Sequence, residues 1–187
     1  MAITLVVETG AVVSGSNTFV TEAEQRDWLL NSTLYTDLAE DLDQANLLRY
    51  MVRATEIMTR WGIWYGSLVE TTQSLSFPRS GLIDRNRNSV DHTTVPTDVK
   101  SAQKEMVGAM LRVAARSVGI DGEIYDPVDV LEREDKIDQQ TSRVKVVDNP
   151  LDRTDPLRGA VTPDVQALFA PFGYIELGQH SVGIIQG

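Results

Sequence analysis

The chain has 187 residues, of which 42% are hydrophobic, so it is long and apolar enough to bury a core and is not a disordered chain. Its net charge of -10 argues against a surface that binds phosphates tightly, and the absence of cysteine excludes disulfides and thiolate chemistry. An apolar run of about 18 residues is missing, and no Lys or Arg precedes Glu8, so we expect neither a membrane span nor a secretory signal.

The first 20 residues predict an extended N-terminal arm. Ile3, Leu5 and Val7 alternate with other residues in the manner of a short strand, and Gly10 then interrupts the pattern. We therefore expect residues 1–20 to lie outside a compact helical core.

Helical periodicity begins after this arm. Thr21 and Glu24 form a capping-box pattern that opens a first helix to about residue 31. Asp43–Trp61 shows the clearest spacing of apolar residues, and Pro96–Val118 shows a second long stripe that begins with a proline suited to the first helical position. The two matched stripes predict long helices that pack on each other.

Residues 63–95 show no periodicity and predict loops. The segment Phe77–Gly81 has the composition of a turn, in which we expect a buried phenylalanine. Arg79, Arg85 and Arg87 form a basic cluster that neighbouring acids dilute. The cluster is compatible with contact to a phosphate, with contact to an acidic patch on another subunit, or with a solvated loop, and we expect Arg79 or Arg85 to pair with an acid.

An aromatic cluster precedes this loop region. Trp61, Trp64 and Tyr65 stand at the end of the clearest helix. Such a cluster can be a platform on which bases stack, or it can be core packing. We favour core packing, because Arg60 is the only cation close to the cluster in the sequence.

After residue 122 the pattern changes to short β-like runs joined by linkers. Val130–Ile137 and Arg143–Val147 predict a hairpin or a pair of extended arms, and Thr162 opens a short helix that runs through Phe169. The tail, residues 173–187, is predicted to stay disordered until it docks on a partner. Its large aliphatic residues are Ile175, Leu177, Val182, Ile184 and Ile185.

Known catalytic and cofactor motifs are missing. His92 and His180 are far apart in the sequence, and neither a zinc-binding HExxH or CxxC pattern, a GxSxG elbow nor a phosphate-binding glycine loop occurs. We interpret the acidic cluster of residues 37–43 as helix capping and a solvated face. We therefore predict no catalytic residues, no metal, no cofactor and no enzymatic activity.

These patterns together predict a mainly α protein: a small helical bundle core with extended arms and a β-like C-terminal hairpin. Residues 1–20 would form the N-terminal extended arm and residues 21–122 the helical core. Residues 123–187 would form the C-terminal β-like arm, the short helix and the tail.

Three segments, in order, resemble a family of small proteins from tailed bacteriophages. They are Val6–Gly10 followed by Gly15–Thr21, the aromatic-Pro-Arg turn in Leu75–Arg85, and the helix start Val95–Ala102. That family carries the label of DnaT-like single-stranded-DNA-binding proteins, and its members also resemble the head–tail connector adaptors that form a ring below the portal. This chain departs from the family turn after Arg85, where Asn86-Arg87-Asn88 follows.

The two functions that the resemblance implies make different demands on charge. Binding to single strands favours a basic groove with stacking aromatics, whereas a ring through which DNA slides favours an acidic lumen. Because the net charge is -10, we expect a head–tail adaptor, with a phage single-stranded-DNA-binding protein of the DnaT-like type as the alternative.

The adaptor hypothesis implies partners and a location. These are the portal protein, tail or nozzle proteins, about twelve copies of the chain itself in a closed ring, and genomic double-stranded DNA that passes through the lumen without sequence-specific binding. The expected location is the head–tail junction of the virion, after synthesis in the host cytoplasm. The candidate subunit or portal contacts are Arg79, Arg85, Arg87, Ile175, Leu177, Val182, Ile184 and Ile185.

Overall fold

The computed structural model describes residues 3–117, 136–137, 140–141 and 160–175. Five helices and six short strands lie in this part of the chain. The helices are α1 (Glu22–Leu30), α2 (Thr36–Glu40), α3 (Gln44–Trp61), α4 (Thr97–Ser117) and α5 (Pro163–Phe169). The strands are β1 (Gly62–Trp64), β2 (Ser67–Leu68), β3 (Arg79–Ser80), β4 (Lys136–Ile137), β5 (Gln140–Thr141) and β6 (Gly173–Ile175).

The helix starts follow from side chains that satisfy free backbone N–H groups. Thr21 caps α1 and forms the complete capping box with Glu24, as predicted. The Asp43 side chain accepts a hydrogen bond from Asn46 N and caps α3, and Thr162 caps α5 in the same way. The two long predicted helices are confirmed, because α3 and α4 form and pack on each other.

Helix α4 lies at the centre of the fold and contacts α1, α2, α3 and α5. Its buried face includes Val99, Ala102 and Met106, which belong to one continuous hydrophobic core. Phe77 is 0% exposed in that core, so the predicted burial of the turn phenylalanine is confirmed.

The strands form three two-stranded antiparallel ladders. In the longest, β1 pairs with β6 in the register Gly62↔Ile175, Ile63↔Tyr174 and Trp64↔Gly173. We call this pair the β1/β6 ribbon. It connects the end of α3 to the segment that follows α5, and so brings residues more than a hundred positions apart in the chain side by side.

The prediction of a mainly α bundle with extended arms is wrong. About 46% of the residues that the structure describes are helical and 11% are in strands, so the fold is not clearly mainly α. The strands were missed because runs of two or three residues are too short to show a period of two. The predicted loops at 63–95 hold three of them.

The predicted arms also pack on the core where they are described. In the N-terminal arm, Glu8 and Phe19 are 0% exposed. At the other end, α5 packs on α4, and Ile175 is buried in β6 instead of belonging to a free tail. The predicted tail contacts Leu177, Val182, Ile184 and Ile185 lie outside the described residues, as does most of the predicted hairpin around β4 and β5.

None of the helices that the structure describes is both long and apolar enough to cross a membrane.

Candidate functional site

The β1/β6 ribbon begins at a glycine that ends α3. Gly62 has φ -78° and ψ 131°, so the backbone changes directly from helix to extended strand. A Cβ atom at Gly62 would lie 2.2 Å from the indole of Trp64. The indole therefore packs against the bare backbone of Gly62, and its Nε1 donates a hydrogen bond of 3.0 Å to the carbonyl of Met58. Any side chain at residue 62 would displace the tryptophan.

The inner face of the ribbon is part of the core. Trp64 makes edge-to-face contacts with Phe77 and Phe169, with ring centroids 5.0 and 4.9 Å apart. Phe77 in turn contacts the rings of Phe19 and Phe172. For Trp64 the preferred interpretation of the aromatic cluster as core packing is therefore confirmed.

The outer face of the ribbon carries large apolar side chains in water. Ile63 is 43% exposed and Tyr174, its cross-strand partner, is 44% exposed. Tyr65 is 52% exposed, and its N–H donates to the carbonyl of Phe172, which extends the ladder by one residue. Residues 63 and 65 share one side of the strand because side chains alternate, so we call Ile63, Tyr65 and Tyr174 the outer ribbon face.

Sequence reasoning identified Tyr65 but missed Ile63 and Tyr174. The signal for Ile63 was present, since residues 62–65 alternate between an inward Trp64 and outward neighbours. Tyr174 had no local signal, because its place opposite Ile63 depends on the long-range pairing of β1 with β6.

Arg79 holds the turn that follows the ribbon. Its guanidinium donates to the carbonyl oxygens of Tyr65 and Gly66, at 2.7 and 2.9 Å, and at 3.3 Å to that of Ser76. Burial lowers the pKa of Arg79. These contacts fix the backbone that carries Tyr65, and they occupy the donors with which Arg79 was expected to bind an acid.

Arg85 and Arg87 occupy different surroundings from Arg79. Arg85 Nε lies 3.7 Å from Asp98 Oδ2, which confirms the expected pairing of one loop arginine with an acid, and its guanidinium also donates to the carbonyl of Ala167. Arg87 is exposed at the loop tip with φ 66°. Arg79 and Arg85 therefore contact different residues, and Arg87 is exposed to solvent.

The loop tip that departs from the family pattern is closed by Asp84. Its Oδ1 accepts hydrogen bonds from the backbone N–H groups of Asn86 and Asn88, at 2.8 and 2.7 Å. The hydrogen bonds from Asn88, above all from its backbone, hold the pKa of Asp84 below its ordinary value. The tip is thus an ordered polar turn that presents Arg87 to solvent.

The described residues contain no group of three or more His, Cys, Asp or Glu side chains that could hold a metal ion. His92 is exposed and has Asp91 as its acidic neighbour, 4.0 Å away.

Comparison with protein families gives one match. Residues 3–160 fit the family model described as "Putative DnaT-like ssDNA binding protein". Comparisons with curated proteins and with solved structures found no similar chain. The match gives no support to the resemblance to head–tail connector adaptors. Because it spans most of the sequence and includes β1 with Ile63 and Tyr65, the chain belongs to the DnaT-like single-stranded-DNA-binding family.

Proposed function

We propose that the chain binds single-stranded nucleic acid, and that bases stack on the outer ribbon face. The observation that carries the proposal is the exposure of Ile63, Tyr65 and Tyr174 on one side of a ribbon whose other side is anchored in the core. Aromatic rings held on a rigid strand pair suit stacking, because every base has a π-face and the protein side is already ordered.

The rigidity of this face supports the proposal as well. Trp64 fixes the ribbon from within through two ring contacts, and Arg79 fixes the backbone of Tyr65 through its carbonyl. A solvent-exposed tyrosine on a rigid backbone loses little conformational freedom on binding, so more of the stacking energy appears as affinity.

The charge of the chain limits the mode of binding. Arg60 is exposed in the last turn of α3, two residues before β1. With a net charge of -10, few phosphates can be neutralised, and most of the affinity must come from stacking. Binding should therefore be moderate and weakly dependent on salt, unlike that of a basic groove.

The test is a titration of fluorescein-labelled dT12 followed by anisotropy at 50 and 200 mM salt. We expect saturable binding, with a salt slope corresponding to about one or two phosphate contacts. Tyr65→Ala and Tyr174→Ala should each weaken binding about 5- to 150-fold, the range for loss of one stacked base. Leu34→Ala is the matched control, since Leu34 is 63% exposed in the connection between α1 and α2. Unchanged affinity in both tyrosine variants would exclude the outer ribbon face as the binding surface.

A second candidate is the ring-forming adaptor at the phage head–tail junction, and the acidic net charge of -10 favours it. As an adaptor the chain would have no enzymatic activity. Its partners would be the portal protein, tail or nozzle proteins and further copies of the chain. The ring would surround genomic DNA in the virion. Native mass measurement of the protein alone and with a portal protein tests it. A defined ring with portal, together with no binding to dT12, would replace the first proposal by the second.

A further inference from the structure

Three arginines lie on the solvent side of α3. Arg49, Arg53 and Arg60 are each exposed, and Glu56 is the only acidic residue within the helix. In a chain whose net charge is -10, α3 therefore carries a local excess of positive charge. We call the three residues the arginine stripe.

The helical repeat aligns the arginine stripe along the axis of α3. Arg53 follows Arg49 by four residues and Arg60 follows Arg53 by seven, spacings that return to nearly the same side of a helix with about 3.6 residues per turn. Each arginine lies two residues from a buried methionine, Met51 or Met58, and so about 200° around the helix from it. The stripe therefore faces away from the core over a length of about 16 Å.

The arginine stripe leads to the outer ribbon face. Strand β1 follows α3 without a connecting loop, so Ile63 comes three residues after Arg60. The covalent chain keeps the Cα atoms of these two residues within about 11 Å of each other. Met58 and Trp64 both pack in the core, so the opposite sides of α3 and of the ribbon are the sides that face solvent.

The two ends of the stripe carry charge that no neighbouring acid neutralises. Within the part of the chain that the structure describes, neither Arg49 nor Arg60 forms an ion pair. Arg49 Nη1 donates instead to the neutral Oδ1 of Asn46, at 2.8 Å. Arg53 differs, because its Nη1 lies 3.0 Å from Glu56 Oε2. Two guanidinium groups of the stripe are therefore available to an anion, and the third is held by a carboxylate.

A nucleic-acid backbone suits this arrangement. A guanidinium group binds phosphate oxygens through paired N–H donors, and it keeps its charge at any physiological pH. Proteins that bind single strands combine aromatic platforms for the bases with cations that follow the phosphates. A strand whose bases stack on Tyr65 and Tyr174 extends beyond the ribbon, and α3 continues the surface there with exposed cations.

Resting on the proposed function, we propose that the backbone of the bound strand runs along α3 and that Arg60 and Arg49 contact two of its phosphates. The outer ribbon face supplies affinity that is nearly independent of salt, and the arginine stripe supplies the salt-dependent part. Glu56 limits this part, because its carboxylate occupies Arg53.

The experiment measures the affinity for fluorescein-labelled dT12 at 50 and 200 mM salt. Each phosphate contact to a single strand contributes about -0.7 to the slope of log affinity against log salt, so two contacts predict about a sevenfold loss of affinity over this range. Arg60→Gln and Arg49→Gln should each reduce the loss to about 2.6-fold. The matched control is Arg87→Gln, which removes the same charge from the exposed loop tip and should keep the sevenfold loss.

A gain of binding tests the role of Glu56. Glu56→Gln should release Arg53 for a third contact, so the affinity for dT12 at 50 mM salt rises and the loss on going to 200 mM increases to about 18-fold. Glu70→Gln, at an exposed glutamate outside α3, makes the same change in net charge and should leave the loss near sevenfold. Equal behaviour of the two variants would refute the role of Glu56, and tighter binding than that of the wild type cannot come from unfolding.

The outcomes separate this inference from the proposed function. A wild-type affinity that does not change with salt, a loss that stays sevenfold in both Arg49→Gln and Arg60→Gln, or an equal reduction in Arg87→Gln overturns the phosphate path and leaves the stacking surface standing. Tyr65→Ala should weaken binding by the same factor at both salt concentrations, since it removes a stacked base and no phosphate contact. If dT12 does not bind at all, the proposed function itself fails and this inference fails with it.

Discussion

The segments at the two ends of the described core are held by opposite kinds of interaction. Residues 3–20 wrap around a buried carboxylate: Glu8 is 0% exposed and accepts hydrogen bonds from Gly10 N and Val13 N, at 2.8 and 2.9 Å. Residues 160–175 are held by apolar side chains, with Phe169 and Ile175 buried.

A polar anchor and an apolar anchor differ in what they require of the chain. The N-terminal segment has few large side chains, so its turn depends on backbone donors that converge on one side chain. Gln103 on α4 extends this arrangement, since its Oε1 accepts from Phe19 N and its Nε2 donates to Thr18 Oγ1, each at 2.8 Å. The C-terminal segment depends chiefly on buried area and shape, and the side chain of Gln166 adds hydrogen bonds to the backbone N–H and carbonyl of Ile175.

The largest expected effect comes from the residue that joins both segments. Phe77 contacts Phe19 of the N-terminal segment and Phe172 of the C-terminal segment. Phe77→Ala should lower the free energy of unfolding by about 3–5 kcal/mol, because it removes a fully buried ring and leaves a cavity. Urea unfolding followed by tryptophan fluorescence measures the loss. A change below about 1 kcal/mol would mean that the two segments are anchored independently of this ring.

The polar anchor is tested by Glu8→Gln. The variant keeps the shape of the side chain but replaces a carboxylate that accepts from two backbone N–H groups. We therefore expect the free energy of unfolding to fall by about 1.5–3 kcal/mol in the same urea assay. Glu70→Gln, at an exposed glutamate, is the control for the change in net charge. Equal stabilities of the two variants would show that the carboxylate of Glu8 is not what holds the segment.

The capping box gives a smaller effect with a pH dependence. Hydrogen bonds from the backbone and side chain of Thr21 hold the pKa of Glu24 below its ordinary value. Because the pKa of Glu24 is lower in the folded protein than in the unfolded chain, its ionised carboxylate stabilises the fold. This stabilisation is fully present above the pKa of Glu24 in the unfolded chain and is lost as the pH falls through its pKa in the folded protein. Thr21→Ala should lower the free energy of unfolding by about 1 kcal/mol at pH 7.

The same variant should lose part of its acid dependence. Between pH 6 and pH 3 the urea midpoint of Thr21→Ala should fall less steeply than that of the wild-type protein, because Glu24 then titrates nearer its ordinary value. Parallel curves for the two proteins would show that the side chain of Thr21 does not contribute to the lowered pKa of Glu24, since the backbone N–H of residue 21 remains in the variant.

The smallest expected effect lies next to the apolar anchor. Tyr174 alternates with buried Ile175 in β6 but faces outward, so Tyr174→Ala should change the free energy of unfolding by no more than about 0.5 kcal/mol. Ile175→Ala, its inward neighbour, should cost about 2–5 kcal/mol. Similar losses in both variants would mean that Tyr174 belongs to the core, and the outer ribbon face would then shrink to Ile63 and Tyr65.

Local patterns in the sequence determined the helices other than α2. The capping box at Thr21 and the apolar stripes of α3 and α4 are confirmed, because a cap and a period of 3.6 act within a few residues. The sequence also carries the family motifs in order, and the family match bears out the DnaT-like resemblance over residues 3–160.

Only the tertiary structure decided which residues share a surface. The pairing of β1 with β6 joins Ile63 to Tyr174, and the contact of α5 with α4 brings Leu168 near Asp98. Net charge favours the adaptor hypothesis, but a sum over 187 residues does not say where exposed aromatic side chains gather. Such long-range contacts depend on the combined burial of several segments, and no short stretch of sequence carries that information.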